Sequence, residues 1–149
     1  MLEKPLPLKL QRHNLARLRL DPMQLQGEGR TGWLAGAGDR IVGPALNAMH
    51  SRPAHAWMLE ELAHDAGTSR SVLAERFQNL VGSSPMQYLT QWRMLLAANL
   101  LCRSNSPLAR IAEDVGYQTD TAFIRAFRRE YGSPPAAWRR SQLARDHVR

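Results

Sequence analysis

Two stretches of this chain read as copies of one design, and that repetition constrains the fold more than any other feature. "LEELAHDAGTSRSVLAERFQNLVGSSPMQY" runs from Leu59 to Tyr88, and "LARIAEDVGYQTDTAFIRAFRREYGSPPAAW" runs from Leu108 to Trp138. Leu59, Leu62, Ala63, Asp65, Ala66 and Gly67 match Leu108, Ile111, Ala112, Asp114, Val115 and Gly116 at an offset of 49. One extra residue in the second turn shifts the offset to 50, after which Leu73, Phe77, Gly82, Pro85 and Tyr88 match Phe123, Phe127, Gly132, Pro135 and Trp138. Apolar spacing at helical period, broken by glycine and proline, makes each copy a short helix, a glycine turn, a longer helix and a glycine-proline exit.

The rest of the chain fits the same texture. Asp39 is placed to cap a helix whose apolar stripe is Ile41, Val42, Leu46 and Met49, and Arg52-Pro53 ends it. Met58 to Ala66 reads as a helix, and so does the segment capped by Ser69 and closed by Gly82. Ser84-Pro85 opens a long helix to about Arg103. Ser106-Pro107 repeats that start for a helix to Val115. Another runs from Thr119 to Tyr131, and Ser133, Pro134 and Pro135 open a last short helix carrying Trp138. Ser69, Ser84, Ser106, Thr119 and Ser133 are the expected caps. No strand-like alternation competes, so the expected class is all-α. The organisation expected is an irregular arm over residues 1–38, in which "HNLARLRL" could form a short helix, a first subdomain over 39–83, a bridging helix over 84–104, and a second subdomain with a basic tail over 105–149.

A short helix, a glycine turn and a second helix make a helix-turn-helix, whose second helix can enter a DNA major groove. The glycine lets the chain leave the first helix through a left-handed conformation, and the small Ala63 or Ala112 lets the two helices come close. With Phe123 and Phe127 inward, Thr121, Arg125, Arg128 and Arg129 fall on the outer face. With Leu73 and Phe77 inward, Ser71, Glu75, Gln78 and Asn79 point out. Ser71 thus matches Thr121, Glu75 matches Arg125, and Gln78 matches Arg128. The caps Ser69 and Thr119 sit at helix N-termini, which attract phosphate. About nineteen residues of bridging helix give about 28 Å, close to the ~34 Å between successive major-groove openings on one face of B-DNA. The duplication then stands in for a dimer, with two readers on adjacent groove segments.

Charge supports a polyanion partner without choosing it. The 149 residues carry a net charge of +7. Residues 1–56 hold eight Lys/Arg against four acids, residues 57–106 four against four, and residues 107–149 eight against five. The excess lies outside the first copy. The longest apolar run, Met94 to Leu101, is too short for a bilayer, and no lysine-rich amphipathic helix supports a membrane-surface role. The single cysteine, Cys102, forms no internal disulfide and suits a reducing cytoplasm. There is no nucleophile elbow, phosphate-cradling glycine loop or histidine-glutamate zinc motif, so neither an enzyme nor a cofactor is expected. His50 and His55 read as surface residues rather than metal ligands, Trp57, Trp92 and Trp138 as packing residues, and Cys102 as a small core residue. Trp33 has no assignable role.

At these residues the sequence resembles the DNA-binding domain of the AraC/XylS family of bacterial transcription regulators, over about residues 39–140. The second copy carries most of the resemblance. In "IAEDVGYQTDTAFIRAFRREYGSPPAAWR" the glycine-aromatic pair is followed by Phe123-x-Arg125-x-Phe127-Arg128, then Gly132 and Pro135. "GWLAGAGDRIVGPALNAMHSRPAHAW", Gly32 to Trp57, further resembles members with a cupin-like sensor in the N-terminal half. That sensor is not in this sequence, which leaves a stand-alone member or a fragment as the two expectations. The resemblance implies seven helices in two helix-turn-helix subdomains, and a regulator of activator type working on double-stranded DNA in the bacterial cytoplasm. It carries DNA-reading roles to Ser71, Ala74 and Glu75 in the first reader, and to Asp120, Thr121, Ala122 and Arg125 in the second. Met58 departs from the serine or threonine cap common in the family, and Glu75 departs from a common basic residue. The alternative expectation is a helical interaction module that pairs with a full-length regulator or with RNA polymerase.

Overall fold

A computed structural model of the chain describes residues 36–148, and side chains to 145. The expected arm up to residue 35, with "HNLARLRL" and Trp33, lies outside the described residues. From Val42 onward the described residues form seven helices and no strand: α1 Val42–Ser51, α2 Leu59–Asp65, α3 Arg70–Val81, α4 Pro85–Arg103, α5 Leu108–Asp114, α6 Asp120–Tyr131 and α7 Pro135–Val148. The all-α expectation holds. The last helix, expected to be short, has 14 residues. The chain divides between Trp92 and Arg93 into two compact units, so the division falls inside α4. Each unit has the same order: one helix, then the helix-turn-helix, then a helix opened by proline.

The turn inside each helix-turn-helix is set by backbone chemistry. Gly67 and Gly116 have φ of 73° and 102°, a region open to glycine and strained for other residues. After α2, Gly67 N–H donates to the His64 carbonyl at 3.0 Å and Thr68 N–H to the Ala63 carbonyl at 2.9 Å. After α5, Gly116 N–H donates to the Glu113 carbonyl at 3.1 Å and Tyr117 N–H to the Ala112 carbonyl at 2.8 Å. Both are Schellman closures, in which two of the helix's end carbonyls are satisfied and the chain turns sharply. Ala63 and Ala112 are buried beside them.

The first unit packs Val42, Leu46 and Met49 of α1, Leu62 of α2, Leu73 and Phe77 of α3, and Tyr88, Leu89 and Trp92 of α4, all buried. The Phe77 and Tyr88 rings meet edge to face at 5.4 Å. The second unit buries Ile111, Ala112, Val115, Phe123, Ala126 and Phe127. There Phe127 and Trp138 meet edge to face at 5.5 Å, the same pair at the same offset. Such pairs add about 0.5–1.5 kcal/mol beyond burial.

His50 is not a surface residue. It is buried, its Nε2 lies 2.6 Å from the Tyr88 hydroxyl, and its ring sits 4.9 Å from that of Trp92. It is the last apolar-facing position of α1, and the hydroxyl at 88 supplies the polar partner that burial requires. His55 stays half-buried and meets the Glu61 carboxylate at 3.0 Å. Cys102 is half-buried.

The caps follow the sequence at three places and depart at two. Ser69 Oγ accepts from Val72 N–H at 3.2 Å, and Thr119 Oγ1 from Ala122 N–H at 3.1 Å. Ser84 and Gln87 form a reciprocal capping box at 3.2 and 3.1 Å. Ser106 does not cap α5, whose cap position is Pro107; α7 starts at Pro135, one residue beyond the reach expected of Ser133. Proline already fixes φ in these entries, so the helix begins without a hydroxyl. Met58 at the head of α2 is exposed and makes no side-chain cap bond, as the departure at that position implies.

Asp39 joins two elements of the first unit. Its carboxylate accepts from Ile41 and Val42 N–H at 3.0 and 2.9 Å and pairs with Arg76 of α3. The hydrogen bond from Arg76 is the main cause that holds this carboxyl at about 2 instead of its ordinary 3.8; the two backbone N–H groups add to it, and burial opposes it. A depressed folded value means the contribution is present above about pH 4 and is lost as pH falls toward 2.

Asp39→Ala is expected to cost ~1 kcal/mol or more at neutral pH and to flatten the loss of stability between pH 4 and 2; urea unfolding followed by circular dichroism across that range checks both. Gly116→Ala is expected to destabilise more than Gly67→Ala. Both meet a left-handed φ, at about 1–2 kcal/mol, but only at 116 would the new Cβ stand 3.0 Å from the Arg93 side chain, while at 67 it meets nothing within 4 Å. Equal losses in parallel denaturant titrations would contradict the close approach.

Candidate nucleic-acid interface

The two longer helices of the repeats present matching outer faces. In α3, Leu73, Phe77 and Val81 are buried. With that side fixed, Ser69, Ser71, Glu75, Gln78 and Asn79 are exposed, and Ala74 is half-buried at the margin. In α6, Phe123, Ala126 and Phe127 are buried. Thr119, Asp120, Thr121, Ala122, Arg125, Arg128 and Arg129 are exposed. Every residue placed on a reading face from the sequence is therefore available to solvent, Ala74 only in part.

A shallow concavity on α6 is lined by Thr121, Ile124, Arg125, Arg128 and Arg129. Ile124 is half-buried and was not singled out in the sequence. The signal was present: at the offset of 50 it matches Ala74, which the family resemblance does name. Arg125, Arg128 and Arg129 enter no ion pair among the described residues, so α6 shows three uncommitted guanidinium groups on one face. Asp120 lies in its first turn, a favourable place for an acid against the helix dipole.

The α3 face differs in charge. Its outward residues are Ser71, Glu75, Gln78 and Asn79, and Arg76 is committed to Asp39. The same architecture thus offers a basic face in one unit and a neutral-to-acidic face in the other. Behind α6, the Arg93 guanidinium lies 5.9 Å over the Tyr117 ring and against Gly116, and burial lowers its pKa from the usual arginine value. Burial pushes the Tyr131 phenol well above its ordinary range, with Glu130 adding to the effect, so it packs as a neutral aromatic on Phe127 at 4.7 Å. Arg139 of α7 donates to the Leu101 and Ser104 carbonyls at 2.9 and 3.1 Å, satisfying the end of α4. Among the described residues no group of three or more His, Cys, Asp or Glu side chains could hold a metal ion, and no helix is long and apolar enough to cross a membrane.

Comparison with known proteins places this geometry. A family profile described as a helix-turn-helix domain matches residues 62–141. The chain is similar to a protein of Streptomyces lividans described as an AraC-like transcription regulator, 46% identical over 110 residues, or 74% of this chain and 36% of that protein. It is 38% identical over 98 residues to the RCS-specific HTH-type transcriptional activator RclR of Escherichia coli (strain K12), covering 66% of this chain and 34% of the relative. The chain spans about a third of the length of the curated relatives it matches. Among solved structures, the DNA-binding domain of AdpA, a global transcriptional factor in complex with a target DNA, aligns with a TM-score of 0.68 at 32% identity over 72% of this chain and 96% of that one. The C-terminal domain of AraT, a response regulator from Geobacillus stearothermophilus, aligns with a TM-score of 0.65 at 29% identity over 70% and 86%. The all-α fold, the paired glycine turns and these matches agree, and the chain belongs to the AraC/XylS family of helix-turn-helix transcription regulators, of which the matched portion is the DNA-binding domain.

Proposed function

We propose that this chain is a sequence-specific DNA-binding transcription regulator of activator type that lays α3 and α6 into two adjacent major-groove segments of one duplex. The observation that carries the reading is the pair of matched outer faces, with the free arginines of α6 as the electrostatic footprint. Arg125 and Thr121, with Asp120 and Ala122 at the entry of the helix, read base edges. Arg128 and Arg129 meet phosphate. Ser71, Ala74, Glu75 and Gln78 do the reading in the first unit. The caps Ser69 and Thr119 bring helix N-termini of 12-residue helices against the backbone of the duplex. No step is chemical: the work is done by positioning and charge, in the bacterial cytoplasm, on the nucleoid. The organisation that serves this is a first subdomain over 39–83, a bridging helix over 84–104 and a second subdomain from 105.

A salt titration separates this reading from a helical protein-interaction module. DNA binding through several phosphate contacts falls steeply with log salt, and an apolar interface does not. Selection of bound sites from random duplexes is expected to return two boxes about one helical turn apart, and a footprint confined to a single turn would contradict the paired reading.

Arg125→Ala is expected to cost roughly 1–3 kcal/mol and to relax preference at one base pair. Arg128→Ala is expected to weaken all sequences alike and to reduce the salt slope by about 1. Gel-shift titrations at several salt concentrations, on a selected site and on a scrambled one, measure both; an effect of Arg128→Ala on the selected site alone would turn it into a base reader.

A further inference from the structure

We propose that Glu75 is the residue by which the first unit chooses its base, and that the base is a cytosine, whose N4 amino group donates to the Glu75 carboxylate in the major groove. This rests on the DNA-binding reading above and adds a division of labour to it: α6 supplies attraction and α3 supplies choice.

Three observations converge on Glu75. It stands about 180° around α3 from the buried Leu73–Phe77–Val81 side, at the centre of the outer face and at the position Arg125 holds in α6. Its neighbours one turn away, Ser71, Val72, Gln78 and Asn79, are all uncharged, and among the described residues it enters no ion pair. The adjacent arginine cannot neutralise it, because Arg76 is drawn to Asp39 beneath the start of α1. The Asp39–Arg76 pair therefore leaves the α3 face with one uncompensated negative charge.

An uncompensated carboxylate carried into a groove walled by phosphates is repelled at every sequence. It is tolerated only where a base offers a donor. The major groove has two, adenine N6 and cytosine N4. Beside adenine N6 lies N7, an acceptor that opposes a carboxylate, whereas cytosine presents its amino group without an adjoining acceptor on the same base. A residue with no donor of its own thus distinguishes cytosine from adenine as well as from guanine and thymine.

The test is selection from random duplexes by the full chain and by its Glu75→Gln and Glu75→Ala forms, followed by gel-shift titration on single-pair variants of the selected site. The unaltered chain is expected to require a C·G pair at one position of one box, at about five- to tenfold in affinity over other pairs. Glu75→Gln, which gains a donor, is expected to move that preference to adenine, and Glu75→Ala to abolish it while binding random duplex about two- to fivefold more tightly at low salt. A packing role for Glu75 would alter the thermal melt without changing base identity, so unshifted melts with a changed profile support base choice. Identical base profiles for all three proteins would overturn the proposal and leave DNA binding standing. Failure of the unaltered chain to retain any duplex would remove both together.

Discussion

The orientation of the second helix in each helix-turn-helix depends on one backbone event, the left-handed residue that ends the helix before it. At Gly67 and Gly116 the chain closes its last carbonyls with its own N–H groups and turns within one residue. Ala63 and Ala112, whose carbonyls accept two of these bonds, are buried right beside the corner. A Cβ at either glycine would strain its left-handed φ and, at 116, press on the Arg93 side chain, while a longer side chain at either buried alanine would push the two helices apart. The outer face of that second helix is then defined by what the inner face must bury.

With the corner fixed twice, the two units could diverge at the surface without cost to the fold. The core correspondences are close: Leu73 with Phe123, Phe77 with Phe127, and the edge-to-face partners Tyr88 and Trp138. The surface correspondences are not: glutamate opposes arginine, and glutamine opposes arginine. Exposed positions carry little of the folding free energy, so charge at positions such as 75 and 125 can change without cost to the fold. Arg76 illustrates the boundary between the two regimes. Its counterpart in α6 is the buried Ala126, and here it pairs with Asp39 instead of joining the outer face.

Much of this was legible in the sequence because glycine, proline and helical periodicity report local constraints. The helix starts at Pro85 and after Ser69 and Thr119, the glycine turns and the outward residues of α3 and α6 all follow from such signals. What escaped were tertiary facts. His50 reads as a polar residue near a helix end, and only its neighbour in space, the Tyr88 hydroxyl, makes its burial acceptable. Ser106 and Ser133 carry a capping side chain at a site where the following proline does the work. Ile124 shares a concavity with three arginines, which periodicity alone ranks as a margin position. Arg76 belongs to the ion pair with Asp39 only because α1 and α3 are neighbours in the fold.

Cover for α3 begins well ahead of the helix-turn-helix itself. A Cβ on buried Gly36 would lie 2.7 Å from Val42 and 3.1 Å from Val81, and Asp39 ties the head of α1 to α3. The helix-turn-helix profile matches only from residue 62, while the similarity to the Streptomyces lividans regulator runs over 110 residues. A gene fusion spliced at residue 62 would carry α3 without the α1 side chains and the Asp39 carboxylate that lie against it.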